Sequence, residues 1–328
     1  MTTHRATATA NTNIAIAKYW GKCDTKLNLP AVPSISLTLD GLSTTTTVTF
    51  DDRFPKDTFT LDGTVRSGRE RERVIALLDG VRRKVGFLMR AEVTSENRIP
   101  TASGLASSAS GFAALAAAAT HAAGLRPSAR ELSRIARRAS ASAARSVFGG
   151  FVELPAGTRG DDRLAAKALS VGDPWPLRMV IAMTTHAEKA VGSTEGMERS
   201  RRTSPLYQAW VEQAPALTRR IRIALRRKDL ETLGLAMEQS TMAFHGCALS
   251  ARPSILYWNP ATLAILEAVR DLRDRRGILA FATMDAGPHV KVLCEAKDAP
   301  RIKRALGRVP GVLETRIAAP GGGVQVEP

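Results

Sequence analysis

A run of small and hydroxylated residues follows Pro100 and leads into an alanine-rich segment without charged side chains. It comes after a predicted strand that ends near Asn97, and it contains Gly104, Ser107 and Ser108 before the helical pattern begins. The N-terminus of a helix presents unpaired N–H groups and the positive end of its dipole, so it favours an anion such as phosphate. A packed alanine-rich helix with serine caps shows the same pattern and is the commoner case. Taken alone, the pattern leaves both interpretations open.

The sequence has none of the common motifs for nucleotides or metals. It lacks G-x-x-x-x-G-K-[ST], G-x-G-x-x-G after a strand, and His-Glu-x-x-His. Its three cysteines, Cys23, Cys247 and Cys294, lie too far apart for a zinc site or a disulfide framework. A reducing compartment is therefore expected. The N-terminal residues have no apolar core of signal-peptide length, which predicts a cytoplasmic enzyme.

The chain of 328 residues carries 47 Lys and Arg against 31 Asp and Glu, a formal net charge of +16. Basic residues alternate with apolar ones at helical spacing over 69–84 and 217–230, which is typical of the solvated faces of amphipathic helices. No basic run is interleaved with aromatic residues for base stacking, so no nucleic-acid partner is predicted. The uncharged stretch 99–125 is dominated by Ala, Ser, Gly and Thr, which favour transfer into a bilayer too weakly for a membrane span.

Strand patterns dominate the first hundred residues. Residues 7–17 alternate as a strand, and the Thr-rich stretch 34–52 predicts two strands around a turn at Asp40-Gly41. A short hairpin is predicted with its turn at Asp62-Gly63. The further elements predicted in this half are a helix over 69–85, a strand over 88–97, a helix after the Gly/Ser loop, one helix over 128–148 that is capped by Ser128, and a strand over 149–157.

The second half predicts helices followed by antiparallel strands. A polar, loop-like stretch at 156–176 marks a boundary between lobes over 1–176 and 177–328. The tail from about residue 277 alternates β-β-α-β, which suits an antiparallel sheet with helices on one side. Two closely packed α+β lobes are therefore expected. The other elements predicted here are a strand over 176–185 and helices over 194–272, broken near Ser204-Pro205 and at 251–260.

Five stretches occur in an order that resembles one enzyme family. They are NIAIAKYWGKCDTKLNLP (13–30), the Gly/Ser loop (100–118), SASAARSVFGGF (140–151), GSTEGM (192–197) and TMDAGPHVKVLCE (283–295). Together they resemble the diphosphomevalonate decarboxylases, which belong to the superfamily of small-molecule kinases that includes galactokinase, homoserine kinase and mevalonate kinase (GHMP kinases). KYWGK and the DAGP turn are specific to the decarboxylase branch, whereas the superfamily shares the loop. The resemblance covers nearly the whole chain.

The resemblance implies a two-lobed GHMP-kinase-like α+β fold. Its N-terminal lobe would be ribosomal-S5-domain-2-like, its C-terminal lobe ferredoxin-like, and the active site would lie in the cleft between them. The implied substrates are mevalonate 5-diphosphate and ATP with Mg²⁺, and the implied assembly is a homodimer. Such enzymes phosphorylate the tertiary 3-hydroxyl and then lose phosphate and carbon dioxide, giving isopentenyl diphosphate in the mevalonate pathway of isoprenoid biosynthesis.

The resemblance gives catalytic roles to three residues. Asp285 matches the aspartate that contacts the 3-hydroxyl as base or orienting acceptor. Lys18 matches the lysine beside it, which keeps the carboxylate ionised and offsets charge on the transferring phosphoryl group. Arg145 matches the arginine that grips the substrate carboxylate with its planar guanidinium.

Substrate and nucleotide contacts follow from the same resemblance. The residues that match substrate contacts are Tyr19, Lys22, Ser140, Ser142, Arg145, Ser193, Thr194 and Met197. The residues that match the ATP-binding segment are Asn97, Pro100, Ala102, Ser103, Gly104, Leu105, Ala106, Ser107 and Ser108. Magnesium would come with ATP, held mainly by phosphates and by loop serines, for which Ser107 is the candidate.

Several residues depart from the family pattern, including the alanines within 140–146, where Gly and Cys or Ser are common. Val32-Pro33 stand where an Asn-Ser-like pair is usual, Thr194 where many members have Arg, and His289 where Asn is usual. They leave open a kinase that stops at the 3-phosphate, or a decarboxylase of mevalonate monophosphate, mevalonate or another 3-hydroxy acid. The alternative that is not an enzyme is a non-catalytic protein that binds DNA or RNA with an affinity that depends on salt. The histidines interpreted as structural are His121, His186 and His245.

Overall fold

The computed structural model describes residues 3–98, 107–187 and 189–327. These residues form two main β-sheets with helices packed against them, the α+β arrangement that the order of elements predicts. Eight strands make the first sheet, and four antiparallel strands make the second. No helix within these ranges is both long enough and apolar enough to cross a membrane.

The first sheet is built on two long strands. β1 (Thr3–Ala17) pairs antiparallel with β4 (Ser34–Asp51) along most of its length. The short strands β2 (Lys22–Asp24) and β3 (Leu29–Pro30) form a separate ribbon between them in the sequence. The other strands of the first sheet are β5 (Thr58–Leu61), β6 (Thr64–Val65), β7 (Arg90–Asn97), β8 (Phe151–Leu154), β9 (Lys167–Ala168) and β14 (Gln325–Val326).

The predicted turn at Asp40-Gly41 is wrong. The residues of β4 before this pair and those after it belong to one strand, and both segments pair with β1. Ser43 in one half lies opposite Asn11. Thr38 in the other half lies opposite Asn13, so the residues between the halves bulge out of the ladder, where Gly41 has a φ of 73°. The chain does not reverse here, because β1 is long enough to pair with both halves.

Two neighbouring predictions are confirmed. β5 and β6 pair across Asp62 and Gly63, whose φ values of 50° and 75° are typical of a two-residue hairpin turn. The basic helix α1 (Gly68–Val85) then follows. It shares one core with α2 (Ser107–Ala122), whose alanines at 116–119 are fully buried and allow the helix to lie close to β1 and β4.

The predicted helix that begins at Ser128 is wrong in its extent, because it is two helices. α3 (Ala129–Ala139) begins with the predicted capping box. It ends at Ser140, whose backbone is extended with φ −153° and ψ 124°, and the short helix α4 (Ala143–Ser146) follows. Serine side chains form local hydrogen bonds that compete with helix, and the Oγ atoms of Ser140 and Ser142 lie 3.0 Å apart.

The second sheet consists of β10 (Leu177–Met183), β11 (Phe281–Met284), β12 (Val290–Glu295) and β13 (Glu314–Ala318), in the order β11-β12-β10-β13. The helices of this half are α5 (Ser193–Thr203), α6 (Tyr207–Arg227), α7 (Leu230–Leu249), α8 (Pro260–Asp274) and α9 (Ala299–Leu306). The β-β-α-β tail and both predicted helix breaks are confirmed. A further break separates α6 from α7 at Lys228, where φ is 53°.

One apolar core joins the two sheets. Ile14 and Ile35 of the first sheet share it with Ile181 and Leu293 of the second. The end of the chain also returns to the first sheet, because β14 pairs with β1. The shared core explains how residues from both halves of the chain can lie close together. The lobe boundary after residue 176 stays a prediction.

Gly234 of α7 lets this helix lie against Phe281, at the start of the strand that leads to Asp285. A Cβ atom built on Gly234 would lie 2.0 Å from the Phe281 ring. Gly234→Ala is therefore expected to lower the free energy of unfolding by about 1–3 kcal/mol, measured by urea denaturation. Gly111→Ala is the matched helical control, since its Cβ would meet nothing within 4 Å. Equal losses in the two variants would contradict the expectation.

Candidate active site

A carboxylate held by two buried lysines lies where the two sheets meet. Asp285 follows β11, and its Oδ1 accepts a hydrogen bond of 2.7 Å from Nζ of Lys18, which follows β1. Its Oδ2 accepts a bond of 3.0 Å from Nζ of Lys291 on β12. The lysine side chains are 3% and 4% exposed, whereas that of Asp285 is 33% exposed. The Asp285 side chain is therefore partly open to solvent, whereas the two lysine side chains are buried.

These contacts set the charge of the carboxylate. Burial raises the pKa of Asp285, but the charges and hydrogen bonds of Lys18 and Lys291 outweigh burial and hold that pKa well below its usual range. Burial lowers the pKa of Lys18 to about 8, although attraction to Asp285 raises it. Asp285 is therefore ionised at neutral pH, where its oxygens can only accept hydrogen bonds.

Arg145 is a buried guanidinium whose partners are neutral. Its side chain projects from α4 and is 2% exposed; Nη1 donates to Ser34 Oγ at 2.8 Å, and Nε donates to Ser36 Oγ at 3.0 Å. Both serines point to the same side of β4, since side chains alternate along a strand. Burial lowers the pKa of Arg145 to about 10. Within the described ranges no carboxylate lies within 4 Å of its guanidinium, so an anionic ligand would supply the missing counter-charge.

Ser140 and Ser142 lie beside Arg145 in the sequence, on either side of the turn that precedes α4. Their hydroxyls contact each other, and the Ser142 carbonyl accepts a hydrogen bond of 3.1 Å from Asn13 Nδ2. Asn13 also contacts the guanidinium, because its Oδ1 accepts from Arg145 Nε at 3.3 Å. The break between α3 and α4 thus brings the two serines and Arg145 together.

Tyr19 and Lys22 continue the segment that begins with Lys18. The Tyr19 hydroxyl is buried and has no hydrogen-bond partner among the described residues, and burial raises its pKa. Lys22 donates to Oδ1 of Asn28 at 2.6 Å, and burial, helped by the charge of Arg73, lowers its pKa to about 8. A hydroxyl without a partner and an ammonium paired with an amide are both suited to an anionic ligand.

The start of α5 carries the remaining residues predicted to bind substrate. Ser193 is its first residue, and its Oγ accepts a hydrogen bond of 2.9 Å from Nζ of Lys189. Thr194 is exposed, whereas Met197 is 5% exposed and packs in an apolar cluster with Trp20. Attraction to Asp285 is among the influences on the pKa of Lys189, which burial lowers. The charge of Asp285 therefore acts on Lys189, and Ser193 is the hydrogen-bond partner of that lysine.

The predicted nucleotide segment is described only at its two ends. Asn97 ends β7, and its Nδ2 donates to Oδ2 of Asp62 at 3.0 Å. Ser108 is exposed in the first turn of α2. Pro100 to Ala106 lie outside the described residues, as does the side chain of Ser107, so the anion-binding helix start and the magnesium ligand stay predictions. The described ranges contain no group of three or more His, Cys, Asp or Glu side chains that could hold a metal ion.

Two residues that depart from the family pattern are buried. Val32 is fully buried and packs with Trp20, and His289 is 3% exposed with its Nδ1 3.2 Å from the Thr184 N–H nitrogen. Neither side chain therefore presents much surface to a substrate. The structural interpretation of His245 agrees with its 1% exposure, and burial lowers its pKa to about 3, so the ring stays neutral.

Sequence reasoning missed Lys291 and the serines that hold Arg145. Lys291 stands between Val290 and Val292 in a strand whose other residues up to Cys294 are apolar, which is an unusual place for a lysine. Ser34 and Ser36 alternate with apolar residues in a fully buried strand segment. A charged or polar residue at such positions signals a partner, but the pattern does not say which residue that partner is.

Two family models match the chain. The one for the diphosphomevalonate decarboxylase-like N-terminal domain matches residues 10–165. The one for the mevalonate 5-diphosphate decarboxylase C-terminal domain matches residues 179–316. Together they cover most of both halves.

Known proteins are similar over nearly the whole length. The diphosphomevalonate decarboxylase of Saccharomyces cerevisiae is 36% identical over an alignment of 335 positions, which covers 95% of this chain and 84% of that protein. The mevalonate diphosphate decarboxylase from Enterococcus faecalis superposes with a TM-score of 0.92 at 38% identity, and MDDEF in complex with MVAPP, AMPPCP and magnesium with 0.93 at 39%; each match covers 99% of both chains. These matches confirm the two-lobed fold that the resemblance implies. The chain belongs to the diphosphomevalonate decarboxylase family.

Proposed function

We propose that this protein catalyses the ATP-dependent decarboxylation of mevalonate 5-diphosphate to isopentenyl diphosphate, in the mevalonate pathway. The observation that carries the proposal is the partly exposed Asp285 side chain, which is hydrogen-bonded to Lys18 at 2.7 Å and whose charge acts on the buried Arg145. The related structures support it, because one is a complex with MVAPP, AMPPCP and magnesium, and another concerns ATP binding mediated by mevalonate diphosphate.

The first step forms a bond between the 3-hydroxyl oxygen and the γ-phosphorus of ATP, and ADP leaves. Asp285 accepts the hydrogen bond of that hydroxyl and orients its oxygen for in-line attack. Its low pKa makes it a weak base, so it first orients the hydroxyl and takes the hydroxyl proton only as the oxygen–phosphorus bond forms. Lys18 offsets the negative charge on the transferring group at the same place.

The second step breaks the bond between C3 and the phosphorylated oxygen. Phosphate leaves with the bonding electrons, and C3 gains cationic character. The carboxylate then leaves as carbon dioxide, and the electron pair of its C–C bond forms the alkene. Arg145 holds the carboxylate by its guanidinium, which orients the C–C bond that breaks.

The substrate diphosphate would lie among hydroxyl and ammonium groups on the other side of the cleft. Among the described residues, the buried Tyr19 hydroxyl has no hydrogen-bond partner, and the Lys22 ammonium is paired with an amide. ATP would extend from Asn97 along the loop to the start of α2, because the N-terminus of a helix favours phosphate. The predicted magnesium ion neutralises phosphate charge when bound. The remaining predicted contacts to substrate are Ser140, Ser142, Ser193, Thr194 and Met197.

The family membership also supports proposals on the location, the assembly and the lobe boundary of the protein. The protein would be a cytoplasmic homodimer, and its two lobes would divide after residue 176. Sedimentation velocity tests the assembly, because a species at the 35.2 kDa of one chain would contradict the dimer.

One assay tests the function. Purified protein is given MgATP and mevalonate 5-diphosphate, and ADP and carbon dioxide are followed together, with Asp285→Asn as control. Equal release of both products by the wild type alone is expected. ADP without carbon dioxide would mean a kinase that stops at the 3-phosphate. No ADP would refute the substrate, and mevalonate monophosphate and mevalonate would then be compared.

A further inference from the structure

Lys291 makes a contact with the reacting carboxylate that the proposed mechanism does not use. Its Nζ lies 3.0 Å from Oδ2 of Asp285, the oxygen that Lys18 leaves free. We propose that Lys291 is a positioning residue, which fixes the orientation of the Asp285 side chain so that the carboxylate meets the substrate hydroxyl. This inference rests on the proposed function.

The direction of Lys291 follows from its place in the sheet. Val290 and Val292 pack with Ile302 on one side of β12. Lys291 and Leu293 point to the opposite side, where Leu293 joins the core shared by the two sheets. The lysine therefore lies on the face of the second sheet that meets the first, and its side chain is 4% exposed.

A buried ammonium on an apolar face requires a specific reason. Removing a charge from water costs several kcal/mol unless a partner compensates it. The described partner of Lys291 Nζ is Asp285, the residue that contacts substrate. An apolar side chain would fill the same position at less cost, so the contact with Asp285 is what the lysine adds.

Lys291 and Lys18 act on Asp285 from different parts of the molecule. Lys291 belongs to the same β11–β12 hairpin as Asp285, and that hairpin turns tightly, with the Gly287 N–H donating to the Asp285 carbonyl at 2.7 Å. Lys18 comes from the end of β1 in the other sheet. With Lys18 alone, the carboxylate keeps one anchored oxygen and can rotate about it. With both lysines, each oxygen is anchored and the carboxylate plane is fixed.

Other ionisable groups interact electrostatically with the Asp285 carboxylate and also influence its pKa. Arg145, from the first lobe, and Lys189, before α5, each feel the charge of Asp285. His245 of α7 feels Lys18, Asp285 and Lys291, but burial keeps it neutral. Removing Lys291 therefore leaves Lys18 as the one cation hydrogen-bonded to Asp285 among the described residues, and the pKa of Asp285 must rise.

Lys291→Met tests the proposal, since methionine fills a similar volume without charge. We expect kcat to fall about 10- to 100-fold with the KM of both substrates nearly unchanged, because orientation rather than binding is lost. Activity depends on the ionised carboxylate and is lost as pH falls through its pKa. Raising that pKa toward the usual range of an aspartate moves the acid limb of the kcat profile to higher pH. Lys291→Arg keeps the positive charge, so its acid limb is expected to lie at the same pH as that of the wild type.

Two further measurements keep the outcome decisive. Lys303→Met removes an exposed charge from α9 of the same lobe and should leave both kcat and the acid limb unchanged. Carbon-13 NMR of protein labelled at its aspartate carboxyls, assigned with Asp285→Asn, reads the pKa of Asp285 without turnover. An unchanged pKa in Lys291→Met would overturn the proposal even if the wild type had no activity on this substrate. A lower kcat with an unmoved acid limb would also overturn it, whereas absent wild-type turnover would refute only the proposed function.

Discussion

Asp285→Asn is expected to lower kcat by about 10³-fold or more while the KM of both substrates changes little. The amide fills nearly the same volume, but it has one oxygen instead of two and carries no charge. It cannot satisfy both Lys18 and Lys291, which are hydrogen-bonded to separate oxygens of Asp285. Its NH₂ group would also face an ammonium. The variant therefore loses the acceptor for the 3-hydroxyl and the ion pair that orients this acceptor.

The same substitution has a predictable effect on the lysines. Attraction to Asp285 raises the pKa of Lys18, so its loss lets burial lower that pKa further below about 8. Part of the Lys18 population then loses its proton at neutral pH, which limits the cost of an unpaired buried charge. The fold is expected to survive with a lower Tm. Simultaneous ADP and carbon dioxide assays and thermal unfolding measure the two effects.

Asp274→Asn is the matched control for Asp285→Asn. Asp274 ends α8 in the same lobe, and its side chain is 66% exposed. Loss of a carboxylate there should leave kcat and Tm close to those of the wild type. An Asp285→Asn protein that is folded and keeps more than about a tenth of the wild-type kcat would contradict the assigned role, because losing an acceptor in the transition state costs at least 10²-fold.

The sequence predicts elements well where local interactions decide them. The capping box at Ser128 and the hairpin turn at Asp62-Gly63 depend on residues within a few positions of each other, and both are confirmed. The Asp-Gly pair at 40–41 has the same local signal, but the long partner strand β1 pairs with both flanking segments and overrides it. Local turn chemistry therefore predicts a break in the ladder, while the distant partner decides whether the chain reverses.

The site shows the same limit at the level of side chains. The family resemblance pairs Lys18 with Asp285, and the two groups lie 2.7 Å apart. Lys291 was missed because period-two alternation places it inside a buried strand without indicating which face meets the other sheet. That face depends on which side of β12 joins the core shared with β1 and α7, which are distant in the sequence. The break between α3 and α4 near Arg145 was missed for the same reason, since helical periodicity continues through it.

Two buried arginines illustrate the difference between a residue that stabilises the fold and one that awaits a ligand. Arg82 of α1 donates to carboxylates of Asp57 at 3.1 Å and Asp79 at 2.8 Å, and its exposure is 6%. Arg145 is buried to the same degree, but its described partners are the hydroxyls of two serines and an amide oxygen. A buried cation without an anion contributes little to stability, because its hydrogen bonds offset rather than exceed the cost of desolvation.

Arg145→Gln and Arg82→Gln are therefore expected to have opposite consequences. Arg145→Gln should lower kcat/KM by about 10²-fold or more, because the substrate carboxylate loses a charged bidentate partner. Its free energy of unfolding should stay within about 1 kcal/mol of the wild type, since glutamine relieves an uncompensated buried charge. Arg82→Gln removes the arginine that is hydrogen-bonded to the buried Asp57 and leaves it with Arg90 at 4.0 Å, which should cost about 3–5 kcal/mol, while the folded fraction keeps its kcat/KM. Urea denaturation with steady-state kinetics separates the two. A large loss of stability in Arg145→Gln with normal kinetics would mean that this arginine belongs to the fold and not to the site.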